Sequence, residues 1–304
     1  MRFYFDPKTL FVRGSFRAAS TGINGGVQNA ATLLNHSVPP DWSHDEPAKD
    51  LDLVIAAAGL GSDYFGLITA VPMKNLCIFQ YDFITVFITA GISSRQQEGA
   101  GTINIIVHAG EGLTDAALLE LIMVATEAKA EALAAMGRTY SGTPTDAVIA
   151  ASEGETRHVY GGRLTPAGQR VRDAVLFGVP EALNRYEGAI AATSPTFFIF
   201  SRFQGEHWVR WDPENCPYYP CHFPGQRCDF CYCPFYPCGD ESLGEWSTGS
   251  NGGRVWNCSK CTLLHEPEVA GYLVQYPEAT REELVQFREK IRSEERRVGK
   301  ECSC

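Results

Sequence analysis

Two short apolar runs, and the helical pattern between them, stand out in the first half of the chain. The runs Ile103–Val107 and Ala147–Ala151 each predict a buried strand. The segment between them predicts a helix from Asp115 to about Met136, with Thr114 as its N-cap and Gly137 as its C-terminal stop. Strand, helix and strand in this order form a βαβ unit, so we expect two parallel strands that are adjacent or nearly so.

The other apolar segments predict an α/β fold with a mixed sheet that contains this βαβ unit, packed helices, and a small irregular cysteine-rich domain stabilised by metal. Phe3–Phe5 and Leu10–Arg13 predict a hairpin, and Phe16–Ser20 a short third strand. Further strands are expected at Phe65–Val71 and Thr85–Ala90, and helices at Val27–Leu34, at Leu51–Leu60 and from Pro166 to about Tyr186, with a break at Pro180.

One charge interrupts the apolar face of the helix predicted between the two strands. At about 100° per residue, Lys129 lies near the centre of the apolar arc, whereas Glu120, Glu127 and Glu131 lie together on the opposite side. A lysine in this position extends its ammonium to solvent or is held by an acidic partner. Asp146, in the turn after the helix, is such a partner if the two loops converge.

Small and hydroxyl-bearing residues at the ends of the predicted strands form a candidate site, because ligands commonly bind at strand ends in βαβ units. Two Gly-Thr turns bracket the unit. An Asn-Gly-Gly sequence ahead of a predicted helix leaves backbone N–H groups free for a ligand, although such sequences also mark ordinary turns. The candidate substrate-binding residues are Asn24, Gly25, Gly26, Thr102, Asn104, Thr143 and Thr145.

Length and charge narrow the functional classes. The chain has 304 residues, of which 44% are apolar, enough for one large domain or two unequal ones. A net charge of −10 argues against a nucleic-acid partner. No apolar run reaches the roughly 18 residues of a membrane span, and the first residues lack a signal-peptide pattern, so a cytoplasmic protein without a membrane partner is expected.

Eight of the eleven cysteines fall in one short block. A cysteine cluster in a chain expected to be cytosolic indicates metal rather than disulfides. Eight thiolates suffice for two four-thiolate sites, so structural zinc is expected, with iron–sulfur or a redox role as alternatives. The spacing does not assign cysteines to ions, and His222 or His265 can replace one of them. The candidate ligands are Cys216, Cys221, Cys228, Cys231, Cys233, Cys238, Cys258 and Cys261.

Composition divides the chain into three expected segments: a first domain at 1–190, a cysteine-rich zinc-binding module at 191–275, and a helix with a tail at 276–304. Thr280 and Glu283 form a capping box at the start of the last helix. The final residues resemble a tail that recurs on unrelated assembled sequences, so we interpret them as an artefact and leave Cys302 and Cys304 out of the metal argument.

Seven short motifs, in order along the chain, resemble the adenosylcobinamide amidohydrolase family of archaea and some bacteria. The resemblance covers most of Phe16–Leu183, and the cysteine block resembles a small module attached to cobamide-pathway proteins of methanogens. The motifs are Asn24–Gly26, Gly66–Ala70, Thr89–Gly91, Gly101–Asn104, Leu113–Ala117, Ala125–Lys129 and Gly142–Ala147.

The resemblance implies hydrolysis of the amide that joins aminopropanol to the propionate of the corrin ring. The products would be adenosylcobyric acid and 1-amino-2-propanol, in corrinoid salvage, and no organic cofactor is expected. Two alternatives remain open: a corrinoid-binding protein without catalysis, and an adaptor or redox protein that acts through its metal module.

An unactivated amide needs a nucleophile, a stabilised oxyanion and an acid for the leaving amine. The chain has no GxSxG sequence, and Cys77 has no motif around it, so we expect attack by water that a carboxylate activates. Glu127 and Asp146 are the expected base and acid. Lys129, or the backbone of the Asn-Gly-Gly turn, is expected to hold the oxyanion.

Overall fold

The computed structural model of the chain describes residues 1–92, 101–202, 205–212, 216, 218–231, 233–248 and 254–301, with side chains up to residue 294. The chain divides into two compact units, Met1–Trp211 and Asp212–Cys304. Among the described residues, no helix is both long and apolar enough to cross a bilayer.

The first unit is built on a ten-stranded mixed sheet. Its strand order is β12-β11-β5-β6-β7-β9-β2-β3-β4, with β1 paired to β2, while β8 and β10 form a separate pair. The strands are β1 Arg2–Phe5, β2 Thr9–Ser20, β3 Gly26–Ser37, β4 Tyr64–Thr69, β5 Cys77–Tyr81, β6 Ile84–Ile92, β7 Gly101–Ala109, β8 Gly112–Leu113, β9 Ala147–Ser152, β10 Thr156–His158, β11 Thr196–Ser201 and β12 His207–Arg210.

Three helices complete this unit: α1 Pro47–Ala57, α2 Asp115–Ala135 and α3 Pro166–Tyr186. The predicted βαβ unit is confirmed, because β7 and β9 are adjacent parallel strands and α2 lies between them in the chain. The hydroxyl of Thr114 accepts a hydrogen bond from the backbone N–H of Ala117, as expected of the N-cap.

Side chains alternate between the two faces of β7, and each face packs into a separate hydrophobic core. Ile103, Ile105 and Val107 pack with α2 and α3 in one buried cluster. Ile106 faces the other way and packs with residues of β2, β3 and β4 in a second cluster. The sheet therefore curls, so that its β2–β4 part covers one face of β5–β9 while α2 and α3 cover the other. The side chains of Thr102, Asn104 and His108 share the face of Ile106.

The helix predicted at Val27–Leu34 is wrong, because this segment lies in β3. The strand pairs with β2 on one side and with β4 on the other. Two consecutive leucines of β3 lie on opposite faces of the strand. Leu33 packs in the hydrophobic cluster that contains Ile106, whereas Leu34 packs against α1. Adjacent apolar residues imitate a helical pattern when a strand is buried on both faces.

Two further expectations differ in detail. The strand predicted at Phe16–Ser20 is the second half of β2, which continues past a register shift between Arg13 and Phe16. Helix α3 continues through Pro180. Buried residues on both sides of this proline, including Val175 and Leu183, hold the helix against the sheet, so packing outweighs the lost hydrogen bond.

The boundary between the units also differs from the predicted one after residue 190. β11 pairs in parallel with β5, and Phe198 stacks on Phe79 with the ring centroids 5.0 Å apart. β12 then pairs with β11. Both strands therefore belong to the main sheet, and the first unit ends at Trp211.

The second unit is mostly irregular, as expected. It contains β13 Glu245–Thr248, β14 Arg254–Asn257, α4 Pro267–Gln275 and α5 Arg281–Glu301. Leu284 of α5 is fully buried with Leu263 and Leu273, so the last helix is part of this unit and not a separate segment. The capping box is confirmed, because Thr280 N–H donates to Glu283 and Glu283 N–H donates to the Thr280 hydroxyl, at 2.6 and 3.2 Å. Residues 302–304, with Cys302 and Cys304, lie outside the described part of the chain.

We predict that Gly178→Ala destabilises the first unit. A Cβ at this position would lie 2.6 Å from atoms of both Ile88 and Phe79, which are fully buried. Overpacking of this kind costs about 1–3 kcal/mol and exceeds the gain of up to about 1 kcal/mol from replacing a helical glycine. Chemical denaturation measures the change. Gln169→Ala, at an exposed position of the same helix, should stay within about 0.5 kcal/mol of the parent, and equal stability of both variants would contradict close packing at Gly178.

Candidate active site and cysteine clusters

Five segments that are far apart in the sequence meet where β7 and β9 begin. We call this place the amino edge; it comprises residues 21–26, 66–70, 89–91, 101–104 and 142–147. Gly91 pairs with Thr102, and Ile23 forms an isolated bridge with Gly66. The hydroxyl of Thr21 accepts a hydrogen bond of 3.0 Å from the backbone of Val148.

Asp146 is the centre of the polar contacts at this edge. Its Oδ1 accepts hydrogen bonds from the backbone N–H of Ile103 at 2.8 Å and from the hydroxyl of Thr143 at 2.6 Å. Its Oδ2 accepts from the backbone N–H of Thr143 at 3.0 Å and from the ammonium of Lys129 at 2.5 Å. We call this arrangement the Asp146 clamp, because it joins the start of β7, helix α2 and the loop before β9.

The acidic partner expected for Lys129 is confirmed. Only 8% of the Lys129 side chain and 9% of the Asp146 side chain are exposed, so the two charges neutralise each other away from water. Both loops do converge on the helix, which explains why a lysine occupies the centre of its apolar face. Removal of either partner would leave the other charge buried and unpaired.

Three threonines extend the clamp. The hydroxyls of Thr143 and Thr145 lie 2.6 and 2.8 Å from the carbonyl oxygen of Gly101. The hydroxyls of Thr102 and Thr145 are 3.0 Å apart. The two Gly-Thr turns predicted to bracket the βαβ unit therefore contact each other directly.

The structure does not bring together the two expected catalytic carboxylates. Glu127 is exposed and lies two residues before Lys129, about 200° away around α2, whereas Lys129 points to Asp146. A carboxylate offers about four lone-pair sites, and Asp146 already accepts from two backbone N–H groups and the Lys129 ammonium, while the Thr143 hydroxyl is shared between Asp146 and the carbonyl oxygen of Gly101. The arrangement makes Asp146 a structural anchor, and it leaves Glu127 on the solvated face that helical periodicity alone favours.

A buried chain of amides lies beside the clamp. The Nδ2 of Asn104 donates to the side-chain oxygen of Asn35 and to the carbonyl oxygen of Ile68, both at 3.0 Å. The Nδ2 of Asn35 donates to the hydroxyl of Thr89 at 2.8 Å. Because both neighbours of the Asn104 nitrogen are acceptors, the orientation of this amide is fixed.

The Oδ1 of Asn104 is buried and has no hydrogen-bond partner among the residues that the structure describes. An unsatisfied buried acceptor costs about 1–3 kcal/mol and calls for an explanation. Sequence reasoning finds Asn104 as a candidate site residue and Thr89 as part of the motif Thr89–Gly91, but it does not find Asn35. Asn35 follows directly after the segment mistaken for a helix, so its place in the same strand is not visible from the pattern.

The Asn-Gly-Gly turn lies at the amino edge but not ahead of a helix. Asn24 is exposed and has a positive φ of 54°, and Gly26 has a φ of 129°. Gly25 N–H donates to the carbonyl oxygen of Gly22 at 3.0 Å, so it is already used within the turn. The expectation of helix N-terminal N–H groups at this turn is therefore wrong, since β3 follows it.

The opposite end of the sheet is the carboxyl edge, where β5, β7, β9 and β11 all end. There, Nε2 of His108 lies 3.0 Å from Oε2 of Glu153, and the amino terminus lies 2.6 Å from the same oxygen. Burial alone would raise the pKa of Glu153, but hydrogen bonds from His108 and the amino terminus lower it from 4.5 to about 2. Burial lowers the pKa of His108, against the raising effect of Glu153.

Two surface cavities lie at the carboxyl edge. One of about 240 Å³ is lined partly by Gly14–Arg17, and one of about 440 Å³ is lined partly by Tyr81 and Arg170. Asp82 accepts hydrogen bonds from Arg170 and Arg202 beside the second cavity, and these hydrogen bonds lower its pKa. The charges of this edge are thus largely paired with one another.

The eight cysteines of the second unit form two sets of neighbours. Apart from burial, the thiols that raise the pKa of Cys231 are Cys228, Cys221 and Cys216. Those that raise the pKa of Cys233 are Cys261, Cys238 and Cys258. All eight are free thiols, and within the described residues no group of three or more His, Cys, Asp or Glu side chains stands close enough together to hold a metal ion.

Comparison with known proteins decides the family. A family model described as adenosylcobinamide amidohydrolase matches residues 5–191, more than half of the chain. The chain belongs to the adenosylcobinamide amidohydrolase family. The family resemblance expected from the seven motifs is thereby confirmed, and the chain is classed with amidohydrolase enzymes.

Relatives of this amidohydrolase family cover the same region. The adenosylcobinamide amidohydrolase of Methanosarcina mazei is 35% identical over 195 residues, which are 60% of this chain and 98% of the relative. The protein of that name from Halobacterium salinarum is 33% identical over 192 residues, 57% of this chain and 82% of the relative.

A second family model, described as a cysteine-rich small domain, matches residues 207–288. A probable cobalt-factor III C(17)-methyltransferase of Methanothermobacter thermautotrophicus is 53% identical over 58 residues, 17% of this chain and 14% of the relative. The expected association of a cysteine-rich module with proteins of the cobamide pathway is confirmed.

We predict that the Asp146 clamp is a determinant of stability. Asp146→Asn leaves the Lys129 ammonium buried without a counter-charge and should lower the free energy of unfolding by about 3–5 kcal/mol. Lys129→Met should lower the free energy of unfolding by a smaller amount, since the neutral donors still reach the carboxylate of Asp146. The double variant should be less destabilised than the sum of the single ones, because the two residues interact directly.

Denaturant unfolding measures all three variants, and Glu127→Gln is the control that should change stability by less than about 0.5 kcal/mol. Additive effects of the two single changes would contradict the clamp.

We also predict acid-sensitive stability from the carboxyl edge. The folded pKa of Glu153 is below its unfolded value, so its contribution is complete above pH 4.5 and is lost as the pH falls from 4.5 to about 2. The folded pKa of His108 is also lowered, so stability falls as the pH drops below 6.5 as well.

Unfolding by urea at pH 7, 5 and 3 measures this dependence. Glu153→Gln should remove on the order of 2 kcal/mol of the acid-dependent loss, after allowance for partial exposure of the carboxylate. Glu155→Gln, at an exposed position nearby, should leave the pH profile unchanged. Parallel profiles for Glu153→Gln and the parent would refute this assignment.

Proposed function

We propose that the chain hydrolyses the amide between aminopropanol and the propionate of adenosylcobinamide, giving adenosylcobyric acid and 1-amino-2-propanol. The observation that carries this proposal is the family match over residues 5–191, together with a relative of the same name that the chain covers over 98% of its length. The reaction is a step of corrinoid salvage, since it turns an incomplete corrinoid into an intermediate of synthesis.

Two structural arguments favour different ends of the sheet as the site. Ligands of open α/β sheets usually bind at the carboxyl ends of parallel strands, and the two cavities described above lie there. Five of the seven motifs that carry the family resemblance lie at the amino edge. We place the site at the amino edge, because the activity is a property of the family and the motifs are what this chain shares with it.

Asn104 supplies the inner contact of the proposed site. Its free Oδ1 is an acceptor that lacks a donor, and the periphery of a corrin carries carboxamide groups whose N–H groups are donors. Thr102 lies two residues away on the same face of β7, closer to the surface. A substrate amide that enters past Thr102 and Thr145 can donate to Asn104 and satisfy it.

In this proposal the Asp146 clamp contributes by holding other residues of the site in position. It fixes the start of β7 and the loop before β9 against α2, so Thr102, Thr143 and Thr145 are held in one arrangement before substrate arrives. Fixed polar groups cost no reorganisation at the moment of reaction, and this preorganisation is a large part of enzyme catalysis. Water remains the proposed nucleophile.

The test is incubation of the purified protein with adenosylcobinamide, followed by analysis for adenosylcobyric acid and free 1-amino-2-propanol. We predict turnover by the parent. Asn104→Ala should lower kcat/KM by about 10- to 100-fold, the equivalent of about 1.4–2.8 kcal/mol. Thr102→Val tests the same site at a less buried position and should lower kcat/KM as well.

Glu111→Gln at the carboxyl edge is the matched control and should keep full activity. Its carboxylate pairs only with Arg157 and His158, 3.3 and 2.6 Å away, among the described contacts. Binding of adenosylcobinamide without release of aminopropanol would favour the corrinoid-binding alternative. Loss of activity in Glu111→Gln, with Asn104→Ala and Thr102→Val both unaffected, would move the site to the carboxyl edge.

A further inference from the structure

The cysteine block offers two ways to build four-thiolate sites. Each Cys-x-x-Cys pair is a knuckle that directs two sulfurs to one ion. The simplest pairing joins the two knuckles, Cys228/Cys231 and Cys258/Cys261, around one ion, and leaves the other four cysteines to a second. The structure separates the two knuckles instead.

The first knuckle belongs with the cysteines that precede it. The amide nitrogen of Gln226 lies 3.2 Å from the sulfur of Cys221 and 3.3 Å from that of Cys228, so the two thiols flank one side chain. Gln226 is 4% exposed, and its oxygen accepts the backbone N–H groups of His222 and Phe223. The turn at Cys228–Cys231 is closed by a backbone hydrogen bond of 3.3 Å, and Cys216 is among the neighbours of Cys231.

The second knuckle belongs with the cysteines that follow the first. Cys233, Cys238 and Cys261 pack on the same hydrophobic cluster, around Leu263 and Leu284. A backbone hydrogen bond of 2.9 Å closes the turn from Cys258 to Cys261.

We propose that the second unit binds two zinc ions, one held by Cys216, Cys221, Cys228 and Cys231 and the other by Cys233, Cys238, Cys258 and Cys261. We call these the first and second zinc sites. The chemistry of each donor set fits the ion, because four thiolates are the ligands of closed structural zinc sites. The proposal is independent of the proposed amide hydrolysis.

The side-chain amide of Gln226 contacts the ligands of the first zinc site. It donates to two sulfurs of the first site, and an N–H that points to ligating thiolates offsets part of their negative charge. Thiols lose their protons when they ligate zinc, so each set closes around its ion as the protons leave.

Metal content of the full-length chain tests the proposal. Protein reconstituted with zinc under reducing conditions, and then freed of excess metal, should hold two zinc ions per chain by elemental analysis. No bound zinc, or an iron–sulfur chromophore in the purified protein, would overturn it. Ser259→Ala, at an exposed position inside the second knuckle, is the control and should retain two ions.

Two double variants test the assignment of ligands. Cys216→Ser with Cys228→Ser removes two ligands of the first site only, so one zinc ion per chain should remain. Cys228→Ser with Cys261→Ser damages both sites, so none should remain at matched zinc concentration. If the two knuckles shared one ion, these two results would be exchanged.

Cobalt substitution provides a second readout, which reports the thiolate donors of each site directly. Cobalt(II) bound by four thiolates gives an intense sulfur-to-metal absorption, so each intact site should contribute about half of the parent absorbance. The Cys216→Ser, Cys228→Ser variant should keep that half. Activity toward adenosylcobinamide is measured on the same samples, so failure of the zinc assignment and failure of the proposed hydrolysis remain distinguishable.

Discussion

The carboxylate of Asp146 ties together three elements at this end of the sheet. It accepts hydrogen bonds from the start of β7, from the loop before β9 and from helix α2. The buried lysine supplies the balancing charge, so the anion is held without water. This one group fixes the crossing of α2 over the β7–β9 pair, and with it the relative position of the two Gly-Thr turns.

The curl of the sheet is the second constraint, and it follows from β7 being buried on both faces. One face packs on two helices, and the other packs on the β2–β4 part of the sheet. The curl brings Ile68 and Asn35 over the start of β7, where they bind Asn104. A polar network is thereby enclosed between two hydrophobic cores, beside the turns that the clamp holds. The proposed site depends on both constraints, since neither the clamp nor the curl alone brings all five amino-edge segments together.

The sequence predicts the parts of this fold that rest on local signals. The βαβ unit, the N-cap at Thr114 and the acidic partner of Lys129 follow from apolar runs, capping chemistry and a misplaced charge. The strand at Gly26–Ser37 does not, because burial on both faces gives a pattern without period 2. The same distinction between local and non-local signals applies to the polar site. Asn104 and the threonines are visible at turns, whereas Asn35 and Thr89 become partners only through the curl, and the saturation of Asp146 needs backbone donors that no sequence displays.

The functional interpretation depends on where the corrinoid binds. A crystal structure of the full-length protein with bound adenosylcobyric acid tests it most directly. We predict that the corrin lies at the amino edge, with one of its side-chain amides donating to Oδ1 of Asn104 and with Thr102 and Thr145 beside it. A corrin seated at the carboxyl edge, over His108 and Glu153, would contradict this interpretation and return the active site to the end of the sheet where the surface cavities lie.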